Sequence, residues 1–252
     1  MQSNLKNIFS EVKNDLDEEK IVLFSGTPCQ IEGLYKFLKR KYPLLYTIDI
    51  ICHGITSRTV WREYLDYLSN EGKYDISGMN FRDKETGWHR FSFSYYQNKK
   101  KKTSLFIDDP FCFFFDKHLI LNESCFNCKF STEPHLADIT LGDFWGVSNF
   151  PEVKDDNKGV SLVIIGTEQG ERLLKMSENL HLKKVNLDKA LKYNLHCSPE
   201  KPNEYELFWK MFKEKGIKSC IDSFFYISVK HRIKIVIKRF MIKANMIKYF
   251  IK

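Results

Sequence analysis

Val22-Leu23-Phe24-Ser25-Gly26-Thr27-Pro28-Cys29-Gln30 is an apolar run that stops at a Gly-Thr-Pro turn and continues into a helical pattern. A short apolar run closed by turn residues reads as a fully buried strand, so a strand is expected over 21–25 and a helix from 30 to about 41, stopped by Pro43. The next apolar run, 45–51, predicts a second strand, and Gly54 to Ser57 lead into a helix carrying Val60, Trp61, Tyr64, Leu65 and Leu68. A right-handed crossover between the two strands makes them parallel neighbours with their C-terminal ends side by side. Upstream, residues 3–19 predict a helix, with Ser3 as N-cap and Leu5, Ile8, Phe9, Val12 and Leu16 on one face.

Beyond that unit the pattern changes. Residues 76–82 and 90–96 alternate as strands do, and the polar run 97–102 reads as a solvated hairpin tip before a strand over 103–107. An aromatic-rich helix over 111–121, a cysteine-bearing loop and strands over 138–142 and 161–166 follow, with helices over 168–180 and 204–215. The expected fold class is α/β: a mixed sheet with an N-terminal parallel βαβ unit, an antiparallel hairpin insertion and a C-terminal helical tail. Two units are expected, a domain over 1–215 and a basic helical tail over 216–252.

Of 252 residues, 40 are Lys or Arg and 32 are Asp or Glu, a net charge of +8. Residues 230–252 carry eight of those cations and no acid, which leaves 32 against 32 in the body. The basic character therefore belongs to the tail, and no nucleic-acid partner is expected. At 43% hydrophobic and 15% aromatic, the composition excludes a disordered chain. No apolar run is long enough to span a membrane and no export signal is visible, so a cytoplasmic location is expected. In the tail Ile233, Val236, Ile237, Phe240, Ala244, Ile247 and Ile251 form one helical stripe, as in a helix lying on the anionic inner face of a membrane. Ile235, Ile242, Met246 and Tyr249 fall opposite, a pattern that suits burial between protein surfaces about as well.

The seven cysteines divide four and three. Cys29 stands just past the first strand and Cys52 at the end of the second, at the sheet edge where α/β folds collect ligands. Cys125-Phe126-Asn127-Cys128 forms a C-x-x-C pair whose spacing lets both sulfurs face one metal site. Four thiols complete the ligand set of a 4Fe-4S cluster or of a tetrahedral structural zinc, and spacing does not choose between them. Cys112, Cys197 and Cys220 have no partner at ligand spacing and are expected in the core. His53 beside Cys52 is a candidate proton donor, and Cys29 with His53 a candidate thiol-nucleophile dyad.

Two further segments combine charge and aromatic residues. Phe81-Arg82-Asp83-Lys84 with Gly87-Trp88 offers cations for an acidic group of a cofactor, or else a surface turn with an internal ion pair. Gly142-Asp143-Phe144-Trp145-Gly146 reads as a tight turn with core aromatics, keeping Asp143 as a site candidate.

Taken together, the segments 22–30, Ile51-Cys52-His53-Gly54, 81–88, 125–130 and 137–146 occur in the order typical of one family. Over residues 2 to 215 the chain resembles the C-terminal domain of the coenzyme F420 hydrogenase/dehydrogenase beta subunit, in the bacterial branch often found beside polysaccharide biosynthesis genes. The resemblance implies an iron-sulfur oxidoreductase or electron-transfer domain, linked to flavin (FAD) and passing electrons to a two-electron acceptor such as coenzyme F420. Its cluster cysteines fall on Cys29, Cys52, Cys125 and Cys128, which tips the choice towards 4Fe-4S over zinc. Gly26, Thr27, Gln30, His53, Arg82, Lys84 and Asp143 are the implied cofactor-binding residues. Complete members of that branch begin with ferredoxin-like and flavin-binding segments, whereas this sequence starts at the helix before the first motif. A partner chain supplying those segments is therefore expected. The alternatives are a non-catalytic interaction domain with a four-cysteine structural zinc site, or a truncated remnant acting with a partner.

Overall fold

The computed structural model describes residues 5–132, 134–194, 197–225 and 237. After a helix α1 (Ile8–Asp17), strand β1 (Val22–Ser25), helix α2 (Pro28–Leu38) and strand β2 (Leu45–Ile50) form the expected parallel unit, with Leu23 opposite Tyr46 and Ser25 opposite Ile48. α1 starts later than expected, after Asn7, and the Ser3 cap lies outside the described residues. α2 starts two residues early because Pro28 occupies its first turn and Gln30 Oε1 accepts the Thr27 N–H at 2.9 Å.

Helix α3 (Arg58–Ser69) leads to a three-stranded antiparallel sheet of β3 (Ile76–Asp83), β4 (Ser92–Gln97) and β5 (Lys100–Leu105). The expected six-residue tip is only two residues long. Asn98 (φ 47°) and Lys99 (φ 65°) both take left-handed backbone, which closes a tight hairpin, so Lys100 to Lys102 belong to β5 and not to a solvated loop. Helix α4 (Pro110–Asp116) is shorter than the 111–121 expected. The chain turns at left-handed His118 (φ 60°) and delivers Leu119, Ile120 and Leu121 into the interior beyond the helix.

β6 (Ile139–Asp143) pairs in parallel with β2, and β7 (Ser161–Ile165) runs antiparallel to β6, which gives the order β1-β2-β6-β7. The mixed α/β architecture and antiparallel insertion read from the sequence are both present. Buried Asp138 ties this sheet together: its carboxylate accepts from the Thr47 N–H (2.8 Å), the Thr47 hydroxyl (3.0 Å) and the Thr167 hydroxyl (2.5 Å). Helix α5 (Glu168–Lys175) ends five residues early, and a short α6 (Leu187–Leu191) adds to the expected elements. Helix α7 (Tyr205–Phe224) is broken at Gly216, where φ is 74° and ψ 179°. Beyond the break Ile217, Cys220 and Ile221 are buried in the same cluster as Phe208, with Val60, Tyr64, Phe93 and Phe114. The stripe read in 230–252 lies outside the described residues, Ile237 apart. Among the described residues no helix is long and apolar enough to cross a membrane.

α1 and α2 cover one face of the four-stranded sheet, where Phe24 and Leu45 meet Val12, Ile31 and Leu34. The opposite face is covered in part, with Ile139 buried beside Gly170 of α5. Leu23, Ile50 and Ile165 alternate with inward residues on their strands and are 57%, 45% and 49% exposed.

Candidate functional site

The four cysteines expected to act together line one small cavity, about 40 Å³, at the C-terminal ends of β1 and β2. Cys29 sits in the first turn of α2, where the helix N-terminus favours negative charge, and its Sγ lies 3.1 Å from the Thr27 hydroxyl. Cys52 follows β2, which is extended by the Ile51 N–H donating to the Leu141 carbonyl at 2.8 Å. Cys125 belongs to a single 3-10 turn, Glu123–Asn127, and Cys128 caps it. That turn is pinned to the Cys52 segment by backbone bonds, Asn122 N–H to the Ile55 carbonyl (2.8 Å) and Ser57 N–H to the Ile120 carbonyl (2.9 Å). Gly54 makes the approach feasible. Its φ is +121°, and a Cβ there would stand 3.4 Å from Cys125 Cβ and 3.1 Å from Leu121. The Ser198 and Ser131 hydroxyls hold the Cys128 carbonyl at 2.9 and 3.0 Å.

Four thiols are a donor set that suits an iron-sulfur cluster or a four-cysteine zinc site. The four thiols come from three separate segments, and the Ile55 N–H points at Cys125 Sγ at 3.4 Å, a weak bond of the kind that tunes sulfur ligands. Burial pushes the Cys52 thiol up to about 11, with the other three cysteines adding to the rise against a backbone hydrogen bond at Gly54. Among the described residues no three His, Cys, Asp or Glu side chains are gathered into a group that could hold a metal ion.

On the other side of the Ile51-Cys52-His53 segment lies a cavity of about 580 Å³, within the range of small-molecule sites. Cys52 lines the small cavity, while Ile51 and His53 line the large one. Gly142 lets this segment pass close, since a Cβ there would lie 2.6 Å from Ile51. Phe91, Phe106, Phe115 and Trp145 contribute rings to the cavity wall, with Phe91 and Trp145 6.3 Å apart. Arg82 and Asp143, both singled out in the sequence, line it together and pair with each other at 3.0 Å. The Arg82 guanidinium also lies over Phe91, Trp88 and Trp145, at 4.5, 5.3 and 5.8 Å from the ring centroids. The internal ion pair considered for 81–84 does not form, because Asp83 takes the Ser94 hydroxyl and Lys101 instead.

The remaining candidates divide. Gly26, Thr27 and Gln30 serve the start of α2 and so hold Cys29 in place. The Lys84 amine caps the Lys158 carbonyl at 2.7 Å and lies over Trp88, outside the cavity lining. The His53 ring lies against Phe115, tilted by 36° with centroids 4.7 Å apart, and burial, with His118 alongside, holds its pKa below the ordinary value. Cys112 and Cys220 are buried as expected, but Cys197 is exposed. The expectation of two core aromatics in 142–146 holds for one of them: Phe144 is buried, whereas Trp145 is 40% exposed and forms cavity wall. Arg90, Phe91, Phe106 and Phe115 join the lining without a motif to mark them, and the dense aromatic content of 88–115 is the only signal of them in the sequence.

A family model described as coenzyme F420 hydrogenase/dehydrogenase, C terminus of the beta subunit, matches residues 19–190. Among solved structures, the chain is similar to a chain of the F420-reducing NiFe hydrogenase complex of Methanosarcina barkeri, studied as a xenon derivative. Identity is 19% and the TM-score 0.40, with 67% of this chain and 52% of that chain covered. The chain thus spans about half the length of the hydrogenase chain it matches. No curated protein sequence matches.

Proposed function

This chain belongs to the family formed by the C-terminal part of the coenzyme F420 hydrogenase/dehydrogenase beta subunit, and from that premise we propose that it is a flavin-linked electron-transfer domain of an oxidoreductase. Cys29, Cys52, Cys125 and Cys128 hold a 4Fe-4S cluster, and the large cavity accepts the flavin. The observation that carries the reading is the convergence of four thiols from three distant segments on one cavity, back to back with an aromatic cavity of ligand size.

When bound, the cluster supplies one-electron capacity and the flavin the exchange between one- and two-electron steps. The chain's own residues do the rest. Each cysteine binds as a thiolate, which the N-terminus of α2 favours at Cys29 and the Ile55 N–H at Cys125. Phe91, Phe106 and Trp145 offer flat faces and exclude water from the large cavity. Coenzyme F420, or another two-electron acceptor, is the exchange partner in this proposal, and a partner chain contributes the ferredoxin-like and flavin-binding segments. The domain works in the cytoplasm, and its acid-free segment 230–252 contacts the anionic inner membrane face; the support is its charge and apolar stripe.

Anaerobic purification, or reconstitution with iron and sulfide, tests the cluster. The expected result is a brown protein with about four irons per chain. A colourless protein carrying one zinc overturns the reading in favour of a structural four-cysteine site.

A further inference from the structure

The charges around the large cavity are nearly all committed to one another. Arg82 pairs with Asp143 at 3.0 Å, the His89 ring with Asp155 at 2.7 Å, and Asp116 with Lys117 at 3.1 Å. Arg90 is the exception. It lines the cavity half-buried, its carbonyl is fixed by the Thr86 hydroxyl at 2.6 Å, and its guanidinium has no ion-pair partner among the described residues. A half-buried arginine without a carboxylate partner is a standing offer to an oxyanion, because its planar guanidinium fork matches two oxygens at once.

The two cavity arginines therefore have different tasks. Arg82 is neutralised by Asp143 and covered by three rings, which makes it part of the flat wall. We infer that Arg90 is the residue that reads the acidic group, phosphate or carboxylate, of a planar aromatic ligand seated against Phe91 and Trp145. This rests on the large cavity accepting a flavin-like ring, but not on the cluster.

Fluorescence titration of the full chain with two pairs of probes tests it. Flavin mononucleotide against riboflavin differs by a phosphate, and 10-carboxymethylflavin against lumiflavin by a carboxylate. At least one charged member should bind about tenfold more tightly than its neutral counterpart, and the pair that responds identifies the oxyanion. Arg90→Met should erase that preference while the neutral probe binds as before, which shows that the variant is folded. Arg90→Lys should retain part of it, and added salt should shrink it in the unaltered protein. Equal binding within both pairs, a preference that survives Arg90→Met, or no binding of any probe overturns the inference. Iron content, read separately, reports on the cluster and is unaffected by Arg90→Met.

Discussion

The thiol-lined cavity takes its walls from three backbone segments that hydrogen-bond directly to one another, whereas the large cavity takes its walls from rings and ion pairs on two separate sheets. The first is local in construction. A strand end, a helix start and a 3-10 turn meet at Gly54, and the cysteines follow wherever the backbone goes. The second depends on long-range side-chain contacts, above all Arg82 with Asp143 and Trp88 stacked on Trp145 at 5.1 Å. Two adjoining sites can therefore fail independently.

The largest separation comes from Cys52→Ala. Cluster assembly should be lost altogether while riboflavin still binds in the large cavity, and paired iron and fluorescence measurements check this; iron content equal to the unaltered protein would break the ligand assignment. A smaller effect acts on the other cavity. The Asp83 carboxyl is held down to about 2, chiefly by Lys101 and then by Ser94, whereas an unfolded Asp titrates near about 4. Stability from this group is thus complete above about pH 4 and drains away as pH falls towards 2, because the unfolded chain takes up its proton first. Asp83→Asn should cost about 2 kcal/mol at neutral pH and flatten the acid side of the stability curve between those limits, as urea titrations at several pH values will show. Since β3 to β5 carry Arg82 and Leu105 of the cavity lining, acid should weaken probe binding in the large cavity. The smallest effect belongs to Gln30→Ala. Loss of its bond to the Thr27 N–H should cost about 1 kcal/mol in thermal stability and slow reconstitution only slightly, since Pro28 still starts the helix.

How much of this is legible in the sequence follows from the same contrast. Cys29 and Cys52 can be placed together because parallel strand ends adjoin by topology alone, and the C-x-x-C needs only to fold back on them. The parallel unit is legible for the same reason. The aromatic cavity is not, because which of Phe144 and Trp145 turns inward depends on the position of β7 and the turn after it, and Arg82 meets Asp143 only once two sheets have docked. The helix expected over 111–121 fails at His118, where left-handed backbone stops it; an unbroken apolar run fits extended backbone as well as helix. Lys100 to Lys102 read as loop because charge suggests solvent, yet an outer strand can be both paired and charged.

Three exposed aliphatic side chains on the four-stranded sheet bear on how the chain behaves in a test tube. Leu23, Ile50 and Ile165 leave apolar surface on strands β1, β2 and β7, and among the described residues β1 is an edge of the sheet. Sulfate and similar salts, which strengthen apolar association, will push such particles towards reversible clustering at concentrations where a fully covered sheet would stay dispersed. Retention on a phenyl matrix and light scattering that rises with ammonium sulfate are thus expected of these exposed side chains, and either will respond to charged substitutions at Leu23 without reaching either cavity.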